Sequence, residues 1–126
     1  MKTRYILYIF LILQGSLMSA TIKHINISNV DIPVIFEEQK SLPILNLQLI
    51  FKNSGYIKDN QNLGLASLSA RVLNEGTKKL GSVKFSEILD DNAITIHSAV
   101  GFETLTIELS SLKEKSNLAI HFSFLL

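Results

Sequence analysis

The stretch GLASLSARVLNEGT, Gly64 to Thr77, reads as a helix that places Ser67, Ala70 and Arg71 three and four residues apart on one face. At that spacing two histidines and a glutamate (H-x-x-E-H) hold a zinc ion and the base that activates its water. None of the three residues present supplies that chemistry. A serine is a poor zinc ligand unless ionised, an alanine carries no base, and an arginine, always protonated, repels a dication. Two readings of Arg71 stay open. It is a solvent-seeking side chain paired with Glu75 one turn on, or its guanidinium replaces the charge of a lost metal and holds nearby acidic groups.

Other chemistry-bearing residues are sparse. His24, His97 and His121 are the only histidines, and no two have metal-ligand spacing within one element. His97 reads as a surface or satisfied side chain on a strand. Asp90 and Asp91 are adjacent, hence on different faces of a helix, and read as solvated charges at its end rather than as a catalytic pair. No serine lies in a nucleophile-elbow sequence and no glycines form a phosphate loop. The absence of cysteine excludes a disulfide framework and a thiolate metal site.

The elements that position these residues follow from periodicity. Ile22–Ile27 reads as a short first strand. Pro33–Glu38 (PVIFEE) reads as another, with proline at its first position. Ile44–Lys52 (ILNLQLIFK) alternates, with Leu45, Leu47, Leu49 and Phe51 on one face and Asn46, Gln48 and Lys52 on the other; with the preceding strand it forms a half-buried hairpin. Leu63–Asn74 is a helix whose stripe Leu65, Leu68, Val72, broadened by Ala66 and Leu73, is expected to be buried, with Gly76 as its stop. A second helix carries Phe85, Ile88 and Leu89 behind a Ser82 N-cap. Ala93–Val100 and Phe102–Leu109 are two strands around Gly101. Ser111 and Glu114 form a capping box that opens a third helix running to the last residue. With the first strand set aside, the order is β-β-α-α-β-β-α, an α+β chain.

The 126 residues suffice for one small domain, and 47% hydrophobic against 18% charged residues make a packed core feasible. A net charge of +1 without a basic block points away from nucleic acid. The first twenty residues differ from the rest. Lys2 and Arg4 precede the apolar run YILYIFLIL (Tyr5–Leu13) and the smaller, more polar QGSLMSA. This is the layout of a secretory signal peptide, and the run is too short for a permanent membrane span. Residues 1–20 are therefore read as a signal peptide, which implies export to a periplasmic location and no stable membrane span after its removal.

The segment LPILNLQLIFKNSGYIKDNQNLGLASLSARVLNEGT, with SVKFSEILDDNAITIHSAVGFETLTIELSSL after it, resembles the start of an insulinase or pitrilysin-type peptidase, the family of the mitochondrial processing peptidases and exported bacterial zinc proteases. The likeness runs from near Pro33 to Leu126. It rests on the apolar strand, the Gly-Leu-Ala helix start, its Gly-Thr end and the Ser-initiated helix that follows. It implies a partial metallohydrolase domain of the mitochondrial-processing-peptidase-like type, with an antiparallel sheet bearing helices on one face, and makes residues 21–126 the N-terminal half of a truncated peptidase-like domain. It also places Ser67 and Arg71 at the two zinc-binding histidines and Ala70 at the catalytic glutamate. The family's further carboxylate ligand falls beyond this sequence. No catalytic, cofactor-binding or metal residue is thus carried over, and no cofactor is expected, zinc being that of active members.

Some members of the family work in pairs, one with the zinc motif and one without. The resemblance thereby implies an exported, non-catalytic homologue acting as a partner or peptide-binding subunit, its partner a zinc-bearing homologous peptidase subunit and that complex's peptide substrate. The alternatives are an active zinc-dependent peptidase and a truncated relic without independent function. A partial domain would leave apolar strand faces uncovered, so the chain is expected to self-associate or to need a partner. Fused to a reporter, residues 1–20 should carry it across the cytoplasmic membrane. A fractionation assay that leaves the reporter in the cytoplasm, or that finds Lys2 and Arg4 irrelevant, contradicts the signal-peptide reading.

Overall fold

A computed structural model describes residues 20–124. Their elements run β1 (Thr21–Ile27), β2 (Val30–Phe36), β3 (Ile44–Lys52), α1 (Leu65–Asn74), α2 (Gly81–Asp91), β4 (Thr95–Val100), β5 (Thr104–Leu112) and α3 (Ser116–Ser123), with single 3-10 turns at Tyr56–Lys58 and Lys113–Lys115. This is the expected α+β order with the first strand present. The proposed signal peptide lies outside the described residues except for its last residue, Ala20, as do Leu125 and Leu126. Among the described residues no helix is long and apolar enough to cross a membrane.

The chain divides into two compact units, one up to Ser41 and one from Leu42. The first contains a two-stranded antiparallel hairpin, β1 with β2, in which Ile27 opposes Val30 across a two-residue turn. Ser28 and Asn29 take φ of 51° and 66°, as such a tight hairpin turn requires of both central residues. This corrects the sequence reading twice. β2 finds its partner in β1 and β3 in β5, and Pro33 stands inside the strand, opposite His24, rather than at its start. In a two-stranded ribbon both strands are edges, so a residue without N–H costs no ladder bond when it faces outward.

The second unit is a three-stranded antiparallel sheet in the order β3-β5-β4. One face is apolar and bears the helices. Phe85 and Leu89 from α2, Ala119 and Phe122 from α3, Leu109 from β5 and Ile94 form its buried core, with Leu45, Leu47, Ile96 and Leu118 packed around them. Phe85 and Phe122 meet edge to face at 6.1 Å. The opposite face carries Asn46, Gln48, Thr95, His97, Glu108 and Ser110.

Both predicted serine caps are replaced. α2 begins at Gly81 with Leu80 as N-cap, and Thr77 receives the Leu80 N–H at 3.3 Å; Ser82 lies already within the helix. β5 continues through Ser111 and Leu112, which pair with Leu45 and Ile44, so α3 starts only at Ser116. Ladder bonds to a nine-residue strand outweigh a local capping box, and the Ser111 hydroxyl is left buried without a hydrogen-bond partner among the described residues. α3 ends at Ser123, with Phe124 as its C-cap.

Gly76 fixes the connection from α1 to α2. Its φ is 86°, and an added Cβ would stand 2.6 Å from the Phe85 ring. Strain and overlap act together there. Gly76→Ala should lower stability by about 2 kcal/mol or more in chemical denaturation. An unchanged midpoint would mean that the Phe85 packing is looser than the structure places it.

Candidate functional site

The helix that carries the zinc-motif spacing is held at both ends by side chains outside that motif. At its start Gly64 takes a left-handed φ of 90°, and no residue of the helix caps it. The buried Asp59 carboxylate does so from the preceding loop, accepting the N–H groups of Gly64 and Ala66, each at 2.8 Å. A carboxylate bonded to the first N–H groups of a helix satisfies orphan donors and complements the helix dipole. The loop before it is pinned in turn to the β4–β5 turn, with Tyr56 N–H donating to the Gly101 carbonyl and Ile57 N–H to that of Phe102.

Near its other end α1 is bonded to β4. The Ser98 hydroxyl donates to the Ala70 carbonyl at 2.6 Å, with Asn74 Oδ1 also within 2.9 Å. The Asn74 side-chain amide then pairs with the Ser98 main chain. Its Oδ1 accepts the Ser98 N–H at 2.6 Å and its Nδ2 donates to the Ser98 carbonyl at 3.0 Å. So short a hydroxyl-to-helix-backbone bond needs a small residue at the point of contact, and Ala70 is only 3% exposed.

These bonds turn the helix against its leucine stripe. Leu65, Leu68 and Val72, expected to be buried, are 51%, 58% and 58% exposed, while the inward face is Ala66, Ser67, Ala70, Leu73 and Asn74. The physical reason for the correction is that fixed polar bonds at Asp59 and Asn74 hold the helix by this face, and only a small side chain fits at Ala70, where the Ser98 hydroxyl meets the helix backbone. The three motif positions therefore do not form one open face. Ser67 is half-buried, Ala70 is packed under Ser98, and Arg71 points to solvent. Arg71 and Glu75 are not within ion-pair distance, which corrects the expected pairing.

The remaining candidates are dispersed. His24 pairs with Asp31 at 2.7 Å on the exposed hairpin. His121 is exposed in the last turn of α3. Asp90 and Asp91 are exposed at the end of α2. His97 is exposed on β4, level with Glu108 on β5 and Gln48 on β3, where Gln48 Nε2 donates to Glu108 Oε1 at 2.8 Å. Together with Asn46, Thr95 and Ser110 they line a shallow groove on the polar face of the sheet. Among the described residues no three histidine, aspartate or glutamate side chains gather as a metal-binding group. Sequence reasoning missed Asp59, Asn74 and Ser98. The signal for Asp59 was available, since an aspartate a few residues before a glycine-initiated helix is a capping candidate. Nothing in the local pattern links Asn74 to Ser98.

With this geometry in hand the relatives are informative. No family model matches the chain. The Helicobacter pylori protein named non-peptidase homolog YmxG is 41% identical over 104 residues, which are 82% of this chain and 24% of that protein. The crystal structure of a peptidase M16 inactive domain from Pseudomonas fluorescens superposes with a TM-score of 0.73 at 20% identity, over 83% of this chain and 26% of that one. The two matches support the insulinase, or M16-like, resemblance, the first in sequence and the second in fold, and both relatives are inactive or non-peptidase by name. It spans about a quarter of the length of the curated relative it matches.

Replacing Ala70 by glutamate, the residue an active member would carry, should cost about 3 kcal/mol or more, because it puts a carboxylate into a closed helix–strand contact. Arg71→His, on the exposed face, should stay within about 0.5 kcal/mol. Equal effects of the two substitutions on the urea midpoint would show that Ala70 is not packed as described.

Proposed function

We propose that this chain is a non-catalytic insulinase-type homologue that acts by binding, as an exported partner of a zinc-bearing homologous subunit and of that complex's peptide substrate. The observation that carries the proposal is the state of the motif helix. Both histidine positions and the glutamate position are occupied by Ser67, Arg71 and Ala70, and the inward face is closed on β4 by Ser98 and Asn74. A helix used for metal chemistry keeps its ligand face open to solvent and substrate. Here that face serves to fix the helix on the sheet.

The names of the two relatives favour the same reading, and export is favoured by the order of charge, apolar run and polar end in residues 1–20. An exposed apolar stripe, Leu65, Leu68 and Val72, favours work done by contact with another chain.

Purified from the cell, the chain should hold no stoichiometric zinc and cleave no peptide, and a tagged copy should co-purify with a zinc-motif homologue. Metal analysis, a peptide-library digest and mass spectrometry of the captured material measure these. Chelator-sensitive proteolysis by this chain alone overturns the non-catalytic part. Capture without any zinc-motif homologue overturns the partner part.

A further inference from the structure

We propose that the Asn74 side-chain amide stands in for a neighbouring strand on the outer edge of β4, a built-in autoinhibitory contact that keeps extended peptide from pairing with this edge. The proposal does not rest on the partner role proposed above; it limits how that role is carried out. It uses groups of α1, α2 and β4 alone, and so does not depend on what else packs beside the sheet.

The form of the contact is the first observation. In an antiparallel ladder a hydrogen-bonded residue pair exchanges two bonds, N–H to carbonyl in each direction. A carboxamide carries the same donor and acceptor as a peptide group. Asn74 Oδ1 accepts the Ser98 N–H at 2.6 Å, and Asn74 Nδ2 donates to the Ser98 carbonyl at 3.0 Å. Both bonds that a strand residue would offer Ser98 are thus already made.

The rest of the edge is the second. Residues that turn their backbone groups outward recur at every second position of a strand. With Ser98 turned outward, Ile96 and Ile94 are the two such residues before it. The Ile94 N–H donates to the Leu89 carbonyl at 2.9 Å, in the last turn of α2. Of these three successive outward N–H groups, the two outer ones are engaged by α1 and α2, and Ile96 stands alone between them. One residue is too short a site, since strands pair over about three residues or more.

Displacing the amide offers a peptide no gain. It would make two bonds to Ser98 where two were made before, and net stabilisation comes only from a surplus. Ser98 is buried, and its hydroxyl bonds the Ala70 carbonyl at 2.6 Å with Asn74 Oδ1 also at 2.9 Å, so the whole cluster would have to open. The amide is carried on the helix beside the strand, and its effective concentration there is far above that of a free peptide.

The chain has no cysteine, so a peptide can be tethered at one chosen place. His97 is exposed, stands between Ile96 and Ser98, and lies on the face away from the helices. A strand added to β4 would bring a residue to about 4.5 Å from it, Cα to Cα, within disulfide reach. In the full chain, His97→Cys is joined by a disulfide to a short alternating threonine–valine peptide with one central cysteine, and amide exchange is read at Ile96. The tether gives an effective concentration of about millimolar, so a weak intrinsic affinity does not decide the result. With Asn74 in place, attaching the peptide should leave Ile96 exchange unchanged. In Asn74→Ala, and in Asn74→Leu, which keeps the side-chain volume, it should slow Ile96 about ten-fold or more. Slowed exchange with Asn74 in place overturns the proposal, whether or not the two variants fold. Unchanged exchange in a variant that keeps the circular dichroism of the chain also overturns it, because something other than Asn74 then keeps the strand away.

Discussion

The hydrogen bonds between Ser98 and the far half of α1 constrain the rest of this unit. The Ser98 hydroxyl reaches the Ala70 carbonyl at 2.6 Å, and the Asn74 amide takes up the Ser98 main chain. Such a contact forces helix and strand together and requires a small side chain at Ala70, where they meet. It therefore fixes which face of α1 is inside, leaves Leu65, Leu68 and Val72 outside, and fills the place where a catalytic glutamate would need room. It also occupies the edge of β4 at Ser98. One polar cluster thus determines the rotation of α1 and closes its inward face on β4. Buried polar groups that are fully bonded to one another are well suited to specify a single arrangement in this way, because every alternative leaves one of them unpaired.

Much of the second unit was legible in the sequence because its signals are local and periodic. The alternation of Leu45, Leu47, Leu49 and Phe51 is that of the observed β3, and Phe85 and Leu89 at helical spacing are the core residues of α2. The turn around Gly101 joins β4 and β5 as read. Where the reading failed, a distant partner decided. The leucine stripe of α1 is a sound periodic signal for burial, but Asp59 and Ser98 hold the helix by its other face. The Ser111–Glu114 capping box is a sound local signal for a helix start, but β3 offers Ile44 and Leu45 as ladder partners for the same residues. The pairing of β2 with β1 was concealed because the Ser28–Asn29 turn lacks the glycine that usually announces a two-residue hairpin.

Residue type alone makes Ser67, Ala70 and Arg71 unsuited to zinc hydrolysis, and that reading needs no structure. What the sequence could not convey is the structural part these positions play. Here Ala70 is part of a close-packed contact, and the neighbouring Asn74 ties the helix to the strand beside it. The relation to inactive M16-type proteins agrees with a fold retained after its metal chemistry is absent.

Amide hydrogen exchange at Ser98 tests this account most directly. Ser98 and Ile96 both direct their N–H groups to the open side of an edge strand, where exchange is ordinarily fast. The clamp predicts that the Ser98 amide exchanges as slowly as the sheet's interior amides while Ile96 exchanges freely, and that Asn74→Ala removes the difference. Equal, fast exchange at both positions in the unmodified chain would contradict it, and with it the claim that the motif helix is held by its inward face.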